Sequence, residues 1–302
     1  MFSYTEVERE LVPALEARST SSRAGVAIDV PEEARLLVRH VAASASGVTG
    51  EEREQALALA ARRREGTPLA LLVGYEEFLG SRYEVTPGVL VPHPATETLA
   101  VVALDSLRGM TAPTVAEVGH GSGQLSVEIA RRVEDAEVTA SDVSADARRL
   151  TESNAARLLG AGAERVRCVT AEDPRDVLGA FDGLLGKVDL LVSNPPFLSE
   201  IDPISDEVRD HTADEALYGP DGDPMHFYRT VANDARALLS ERGAVVMEFH
   251  EFHRREVLRC FHRRSWTVEV FSREDCRDMP AADGMRPMTP TGHRVLRTRP
   301  SR

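Results

Sequence analysis

The chain has 302 residues, of which 42% are hydrophobic and 28% charged, and this composition is typical of a folded protein with one or two domains. Its formal net charge of −13 opposes a broad nucleic-acid interface, because such an interface needs a basic surface. The three cysteines are widely spaced and form no CxxC pair, so neither disulfides nor a zinc knuckle are expected. The acidic N-terminus argues against a signal peptide, and no apolar run is long enough to span a membrane. We therefore expect a cytoplasmic protein.

The first 72 residues predict helices. Val7, Leu11 and Leu15 recur at helical spacing, Pro31 opens a second helix, and residues 51–64 consist mostly of strong helix formers. Because this stretch carries no chemical motif, we assign residues 1–72 to a small helical domain with a role in substrate recognition.

The pattern of residues 73–98 indicates a linker that consists of a hairpin and an extended segment instead of helices. Residues 73–83 alternate apolar with polar side chains, which is typical of a β-hairpin. An extended path follows, because each proline restricts its own φ and the residue before it. The prolines are Pro87, Pro92 and Pro94. A helix is expected from Thr96 to about residue 107.

Residues 99–302 predict a catalytic domain in which strands and helices alternate. Such alternation is typical of an α/β, Rossmann-like fold with a parallel sheet and helices on both faces. We expect strands at 114–118, 136–141, 165–169, 188–193, 243–249 and 266–271, and helices at 123–133, 144–159, 225–240 and 252–263. The last strand pair together with residues 293–298 is expected to form an antiparallel edge of the sheet, and the composition of residues 275–292 indicates a long loop or an insertion.

A glycine-rich turn follows the first strand of this domain. Glycines let the backbone approach a ligand closely, and the next helix offers free N–H groups to a carboxylate. The segment predicts a binding site for a nucleotide-like ligand, although a turn needed only for packing is the alternative. The residues assigned to it are Glu117, Gly119, His120, Gly121, Ser122 and Gly123.

Two acids follow later strands at positions suited to the same ligand. Asp142 stands 23 residues after Gly119, where an acid accepts hydrogen bonds from ribose hydroxyls. Glu172 follows the third strand and is expected to reach an adenine amine. A dinucleotide is the competing ligand, but its fingerprint is G-x-G-x-x-G, and Gln124 stands here after Gly123.

The segment Asn194-Pro195-Pro196-Phe197 follows a strongly apolar strand. The Asn side-chain oxygen and a rigidly held proline carbonyl together accept both hydrogens of an –NH2 group. They direct its lone pair toward a sulfonium methyl, while Phe197 stacks on the flat group that carries the nitrogen. The sequence therefore predicts methylation of a planar nitrogen with S-adenosylmethionine as cofactor, which Asn194 also helps to bind; a bare turn is the alternative.

Residues 60–272 resemble the HemK/PrmC family of protein-(glutamine-N5) methyltransferases, which modify peptide chain release factors. The resemblance implies a Rossmann-like catalytic domain, cofactor binding by residues 119–123, Asp142 and Asn194, and binding of a substrate amide by residues 194–197. It is carried by Arg63-Arg-Glu-Gly-Thr-Pro-Leu, Gly74-Tyr-Glu-Glu-Phe-Leu-Gly80, Val85-Thr-Pro-Gly-Val-Leu-Val-Pro92, the glycine turn, Ser193-Asn-Pro-Pro-Phe197, and Tyr218-Gly-Pro-Asp-Gly222 with Phe227-Tyr228-Arg229.

Several positions depart from the pattern of that family. His93-Pro94-Ala95 replaces Arg-Pro-Glu, His120 replaces Thr, Phe197 replaces Tyr, and Thr212-Ala213 replaces Glu-Pro. These departures favour an alternative substrate, a small amino-acid-like amide or guanidino compound, with the 275–292 loop closing the cleft over it. A third hypothesis is cofactor or partner binding without turnover. An adenine-N6 nucleic-acid methyltransferase lacks this linker and usually has a basic cleft.

Three further residues are expected near the substrate: His93, Glu97 and Glu248. The run His250-Glu251-Phe252-His253 has the spacing HExH instead of the zinc-binding HExxH, and no third ligand is evident. We therefore predict a surface position for its two histidines and no metal site.

Overall fold

A seven-stranded sheet covered by helices, with a separate cluster of N-terminal helices, forms the part of the chain that the computed structural model describes, residues 1–16, 29–286 and 292–301. The helices are α1 (Tyr4–Glu16), α2 (Val30–Val41), α3 (Gly50–Arg64), α4 (Leu69–Val73), α5 (Thr96–Ser106), α6 (Gln124–Arg132), α7 (Ala145–Leu159), α8 (Asp206–Arg209), α9 (His226–Asp234), α10 (Arg254–His262) and α11 (Arg273–Cys276). The strands are β1 (Tyr75–Phe78), β2 (Ser81–Glu84), β3 (Thr114–Val118), β4 (Glu137–Asp142), β5 (Val166–Thr170), β6 (Val188–Ser193), β7 (Leu239–His250), β8 (Trp266–Phe271) and β9 (His293–Pro300).

Helices α1 to α4 enclose an apolar core of their own. Its centre holds Val7, Leu11 and Leu15 of α1, at the spacing that predicted the helix. Helix α3 begins with a reciprocal capping box, in which Thr49 accepts from the N–H of Glu52 and Glu52 accepts from the N–H of Thr49.

The central sheet has the strand order β5-β4-β3-β6-β7-β9-β8. Strands β3 to β7 are paired in parallel, whereas β9 lies antiparallel between β7 and β8. The α/β fold class predicted from the alternation of elements is confirmed. The expected antiparallel edge of the sheet, formed by the last strands with residues 293–298, is confirmed: β9 pairs antiparallel with both β7 and β8, and β8 is the outermost strand.

Alternate residues of the central strands enter different cores. Val115 and Leu190 pack in the core that includes α5 and α6, while Ala116 and Leu191 pack in the core that includes α9 and α10. This follows from the two-residue period of a strand and shows that both faces of the sheet are covered.

The predicted elements agree with the structure to within about two residues, except near residue 240. The helix expected at 225–240 ends at Asp234, because Leu239 already pairs with Val188 as the first residue of β7. Part of the predicted 275–292 loop, residues 287–291, lies outside the described residues. No described helix has the length and hydrophobicity needed to cross a membrane.

The described part of the 275–292 segment does not cover the cleft. Its residues 279–285 pack against the apolar core beside α5 and α6, and Arg132 of α6 donates hydrogen bonds to the carbonyls of Ala281 and Asp283. For residues 275–286, the expected closing role is therefore not supported.

Candidate functional site

A cleft opens at the carboxyl ends of β3 and β6, where the order of the strands reverses. Sheets of this type bind ligands at such a switch point. The walls come from the linker, the turns after four strands and the segment after β6. They include Gly88, Val89, Gly119, Gly121, Ser141, Asp142, Ala171, Asp173, Asn194, Pro196, Asp214, Tyr218 and Pro220.

The three glycines of the turn have different functions. All have positive φ: +73° at Gly119, +53° at Gly121 and +80° at Gly123. Gly119 and Gly121 line the cleft, and a Cβ at Gly119 would meet no described protein atom within 4 Å. At Gly123 a Cβ would lie 2.6 Å from Thr151 Cγ2, so this glycine permits the close packing of α6 on α7. A ligand therefore fits against Gly119 and Gly121.

Asp142 lies at the end of β4 and lines the cleft. Its Oδ2 accepts a hydrogen bond from the N–H of Gly121 at 2.9 Å, and its Oδ1 accepts one from the N–H of Ser144 at 2.9 Å. Each carboxylate oxygen retains a second lone pair. The carboxylate is thus held in one orientation and is suited to accept from ribose hydroxyls.

Three other residues predicted to bind the cofactor lie behind the turn and are fully buried. Glu117 accepts a hydrogen bond from the hydroxyl of Ser126, and burial raises the pKa of its carboxyl to about 8. The Ser122 hydroxyl donates to Gln124 Oε1 at 2.5 Å. None of the three side chains lines the cleft.

His120 is the third of these buried residues. Its Nδ1 lies 3.0 Å from the hydroxyl of Thr151 in α7, and burial lowers the pKa of the imidazole although Asp142 opposes that shift. The His120 side chain therefore packs behind the glycine turn and supports it, and it does not form part of the cleft surface.

Glu172 is exposed and does not line the cleft, whereas its neighbours Ala171 and Asp173 do. Strand β5 ends at Thr170, one residue later than expected. Asp173 was not identified from the sequence, because the acid nearest the predicted strand end was chosen.

The Asn194 side chain is fixed by one hydrogen bond. Its Nδ2 donates to Oγ1 of Thr96 at 3.2 Å. Its Oδ1 is buried and accepts no hydrogen bond from any described residue. The preceding residue, Ser193, binds the carbonyl of Val118 through its hydroxyl at 2.8 Å and ties the end of β6 to the end of β3. The site thus has a preoriented acceptor at the cleft.

Phe197 lies beside a cluster of histidines. Its ring makes a T-shaped contact with the ring of His293, with 5.9 Å between the ring centroids, and the ring of His93 stacks on His293 at 5.3 Å. His250 contacts His293 edge to face at 5.3 Å, and burial, followed by proximity to His293, lowers the pKa of His250 to about 4. We name these residues, His93, His250 and His293, the histidine cluster.

Sequence reasoning identified His93 and missed the other two members of the cluster. The surface position predicted for the histidine pair of residues 250–253 is wrong, since both are partly buried, and His253 pairs with Asp202 at 3.2 Å. The described residues contain no group of side chains suited to hold a metal ion. A fold was needed to find His293, because β9 pairs His293 directly with His250 across the sheet.

Glu248 adjoins the histidine cluster. The register pairs Ser193 with Met247, so Glu248 lies level with Asn194 at the end of the adjacent strand. The Glu248 side chain is 1% exposed and its Oε1 lies 2.6 Å from Nδ1 of His293. Glu248 therefore reaches the cluster, although it does not line the cleft itself.

Glu97 lies away from the cleft and is fully buried. Its carboxylate binds Arg273 at 2.8 Å, Nε of Arg286 at 3.2 Å and the N–H of Leu79 at 3.3 Å. The structure therefore gives Glu97 the role of an anchor between α5, the hairpin and the segment after β8, and not that of a substrate ligand.

Fold and site together define a class of protein. The sheet is parallel except for one inserted antiparallel strand. A glycine turn follows β3, an acid stands at the end of β4, and Asn-Pro-Pro-Phe follows β6. These features together define a class I methyltransferase. The model of the methyltransferase small domain matches residues 95–216. The protein is an S-adenosylmethionine-dependent methyltransferase by these features.

Similar proteins define the family. A release factor glutamine methyltransferase of Bordetella pertussis is 40% identical over 72% of this chain and 77% of its own length. Another, of Deinococcus radiodurans, is 33% identical over 87% of this chain and 92% of its own. A 4-amino-L-phenylalanine/4-methylamino-L-phenylalanine methyltransferase of Streptomyces pristinaespiralis is 32% identical over 87% and 90%. The chain belongs to the HemK/PrmC family of methyltransferases.

Proposed function

We propose that this protein methylates the side-chain nitrogen N5 of a glutamine in a peptide chain release factor. The observation that carries the proposal is the buried Oδ1 of Asn194, which faces no described donor while Nδ2 is held by Thr96. A buried acceptor without a partner costs about 1–3 kcal/mol, and an N–H of the substrate amide removes that cost on binding.

Different residues of the site bind the cofactor and the acceptor amide. Gly119, Gly121 and Asp142 bind the cofactor, and S-adenosylmethionine supplies an electrophilic methyl group when bound. Asn194 Oδ1 and a proline carbonyl accept the two N–H groups of the acceptor amide and aim its lone pair into the cleft. Phe197 packs on the flat face of the amide. The methylated nitrogen then releases one proton to water, so no strong base is needed.

The direct experiment is transfer of labelled methyl from S-adenosylmethionine to a purified release factor, followed by mapping of the modified residue. We expect one labelled glutamine. Asn194→Ala is expected to lower turnover by about 100-fold or more, the scale on which one preorganised hydrogen bond acts in a transition state. Asn233→Ala is the matched control, because Asn233 is exposed and outside the cleft. An unlabelled release factor would contradict the proposal.

A second candidate is N-methylation of a small amino-acid-like substrate with an aromatic amine, amide or guanidino group. Two observations favour it. The relative from Streptomyces pristinaespiralis carries the name of an amino-acid methyltransferase and is similar over most of the chain. The histidine cluster also borders Phe197, and His93 in it replaces the arginine of the family pattern.

A panel of amino acids and amines separates the two candidates. Mass spectrometry would detect a gain of one methyl group per acceptor. Methylation of a free amino acid, with none of the release factor, favours the second candidate. Methylation of the release factor and of no panel member excludes it.

A further inference from the structure

Thr96 and Asn194 are 98 residues apart in sequence and are in contact beside the cleft, which Asn194 lines and Thr96 does not. The Thr96 side chain is fully buried, and its Oγ1 accepts the hydrogen bond from Asn194 Nδ2 at 3.2 Å. Thr96 is the first residue of α5, and Asn194 directly follows β6. The contact therefore joins the end of the linker to the loop of residues 194–197, which we name the reacting loop.

The chemistry of an amide side chain gives this contact a consequence. An Asn side chain presents an acceptor at one end and two donors at the other, and a rotation of 180° about its last bond exchanges them. A donor facing the substrate nitrogen would repel its N–H groups. In the observed arrangement the Thr96 hydroxyl accepts from Nδ2, so Oδ1 is the end of the amide that is left without a partner among the described residues.

Thr96 is itself held in place from two sides. Its N–H donates to the carbonyl of His93 at 3.0 Å. The next residue, Glu97, is anchored by Arg273, Arg286 and the hairpin. The start of α5 is thus fixed by ion pairs that lie outside the cleft, and the threonine hydroxyl has little freedom to move.

We propose that Thr96 is a positioning residue, which holds the Asn194 side chain in place through Nδ2 and so keeps its oxygen available as the acceptor for the substrate nitrogen. The inference rests on the proposed role of Asn194 in methyl transfer. It assigns no contact between Thr96 and substrate or cofactor.

Two substitutions at residue 96 test the proposal in the full-length protein. Thr96→Val keeps the volume and removes the acceptor, whereas Thr96→Ser keeps the hydroxyl. We expect Thr96→Val to lower kcat at least about tenfold, the scale of one lost hydrogen bond in an oriented site, with the KM for S-adenosylmethionine unchanged. Thr96→Ser is expected to stay within about threefold of the original protein. Thr98→Val, the same change on the same helix, is the control.

Nuclear magnetic resonance supplies a readout that does not depend on turnover. The chain has three asparagines, Asn154, Asn194 and Asn233, so selective 15N-Asn labelling gives three side-chain NH2 signals. Asn194→Ala assigns the signal of Asn194. We expect that signal to move in Thr96→Val and to stay in place in Thr96→Ser and Thr98→Val. An Asn194 signal unchanged in Thr96→Val would overturn the inference.

The two proposals fail in different ways. If the original protein methylates a small molecule and not a release factor, the proposed substrate is wrong, and the Thr96 variants are compared on the acceptor that is methylated. If the release factor is methylated and Thr96→Val retains its kcat, the inference about Thr96 is wrong and the proposed function stands.

Discussion

The carboxylate of Glu248 lies 2.6 Å from Nδ1 of His293, between the neighbouring antiparallel strands β7 and β9. Glu248 is almost completely buried, and its second oxygen meets no donor among the described residues. The hydrogen bond holds the ring of His293, on which His93 stacks and with which Phe197 makes a T-shaped contact. The Glu248 carboxylate thereby holds the imidazole of His293 next to Phe197.

Replacing the Glu248 carboxylate with a neutral amide tests the function of its hydrogen bond to His293. Glu248→Gln is expected to raise the KM for the acceptor about tenfold, because a charge-assisted hydrogen bond exceeds a neutral one by about 1–1.5 kcal/mol. Affinity for S-adenosylmethionine should not change, since Glu248 does not line the cleft. Steady-state kinetics measure both constants. Glu269→Gln in β8, which removes the ion pair between the half-exposed Glu269 and Arg297, is the control, and equal effects of the two variants would contradict this function.

The buried carboxyl of Glu117 predicts a dependence of stability on pH. Burial raises the pKa of this group to about 8 in the folded state, against 4.5 for the free group. The folded state therefore binds this proton more tightly than the unfolded state does. The contribution of the protonated carboxyl to stability is complete below pH 4.5 and is lost as the pH rises to about 8.

Glu117→Gln removes that titration. We expect its stability to fall less steeply between pH 5 and pH 8 than that of the original protein. Urea unfolding at four pH values across this range gives the free energy of unfolding for both proteins. Parallel curves would show that Glu117 does not titrate in this range.

Substitutions at two glycines of the turn are expected to affect different properties: Gly123→Ala the stability of the fold, and Gly119→Ala the affinity for the cofactor. Gly123→Ala should lower the free energy of unfolding by about 2–4 kcal/mol, because the new methyl group meets Thr151 and φ is positive. Gly119→Ala carries only the cost of its positive φ, about 1 kcal/mol, but its methyl group enters the cleft.

The measurements are denaturant unfolding and calorimetric titration with S-adenosylhomocysteine. The Gly119→Ala variant is expected to lose at least about tenfold in affinity, or about 1.4 kcal/mol. A Gly119→Ala variant with unchanged affinity would remove Gly119 from the cofactor site.

Arg63 of α3 joins the N-terminal helices to the segment after the reacting loop. Its guanidinium binds Glu33 of α2 at 2.7 Å and Glu207 of α8 at 3.0 Å, and all three side chains are largely buried. Arg63→Met should cost about 3–5 kcal/mol of stability, because it leaves buried carboxylates without their guanidinium.

Arg53 is the matched control on the same helix. It pairs with Glu10 near the surface, so Arg53→Met is expected to cost less than about 1 kcal/mol. Thermal or urea unfolding of both variants measures the difference. Similar losses in the two variants would show that the buried contact adds no stability of its own.

Much of the fold follows from local pattern in the sequence. The strands β3 and β6 were placed to the residue, since apolar runs bounded by turn residues have few alternative structures. The reacting loop and the glycine turn were equally visible, because glycine and proline restrict or release the backbone wherever they stand. The class of enzyme was determined at this level.

Only the tertiary structure decided which side chains reach the cleft. Glu97, Glu117 and Glu172 looked alike as acids near a motif, yet two are buried in supporting positions and the third is exposed outside the cleft. A side-chain direction depends on the residue at which a strand ends, and sequence patterns place that end only to about two residues. His293 contacts Phe197 and Thr96 contacts Asn194 across nearly 100 residues of chain, through strand order and helix packing that no local pattern contains.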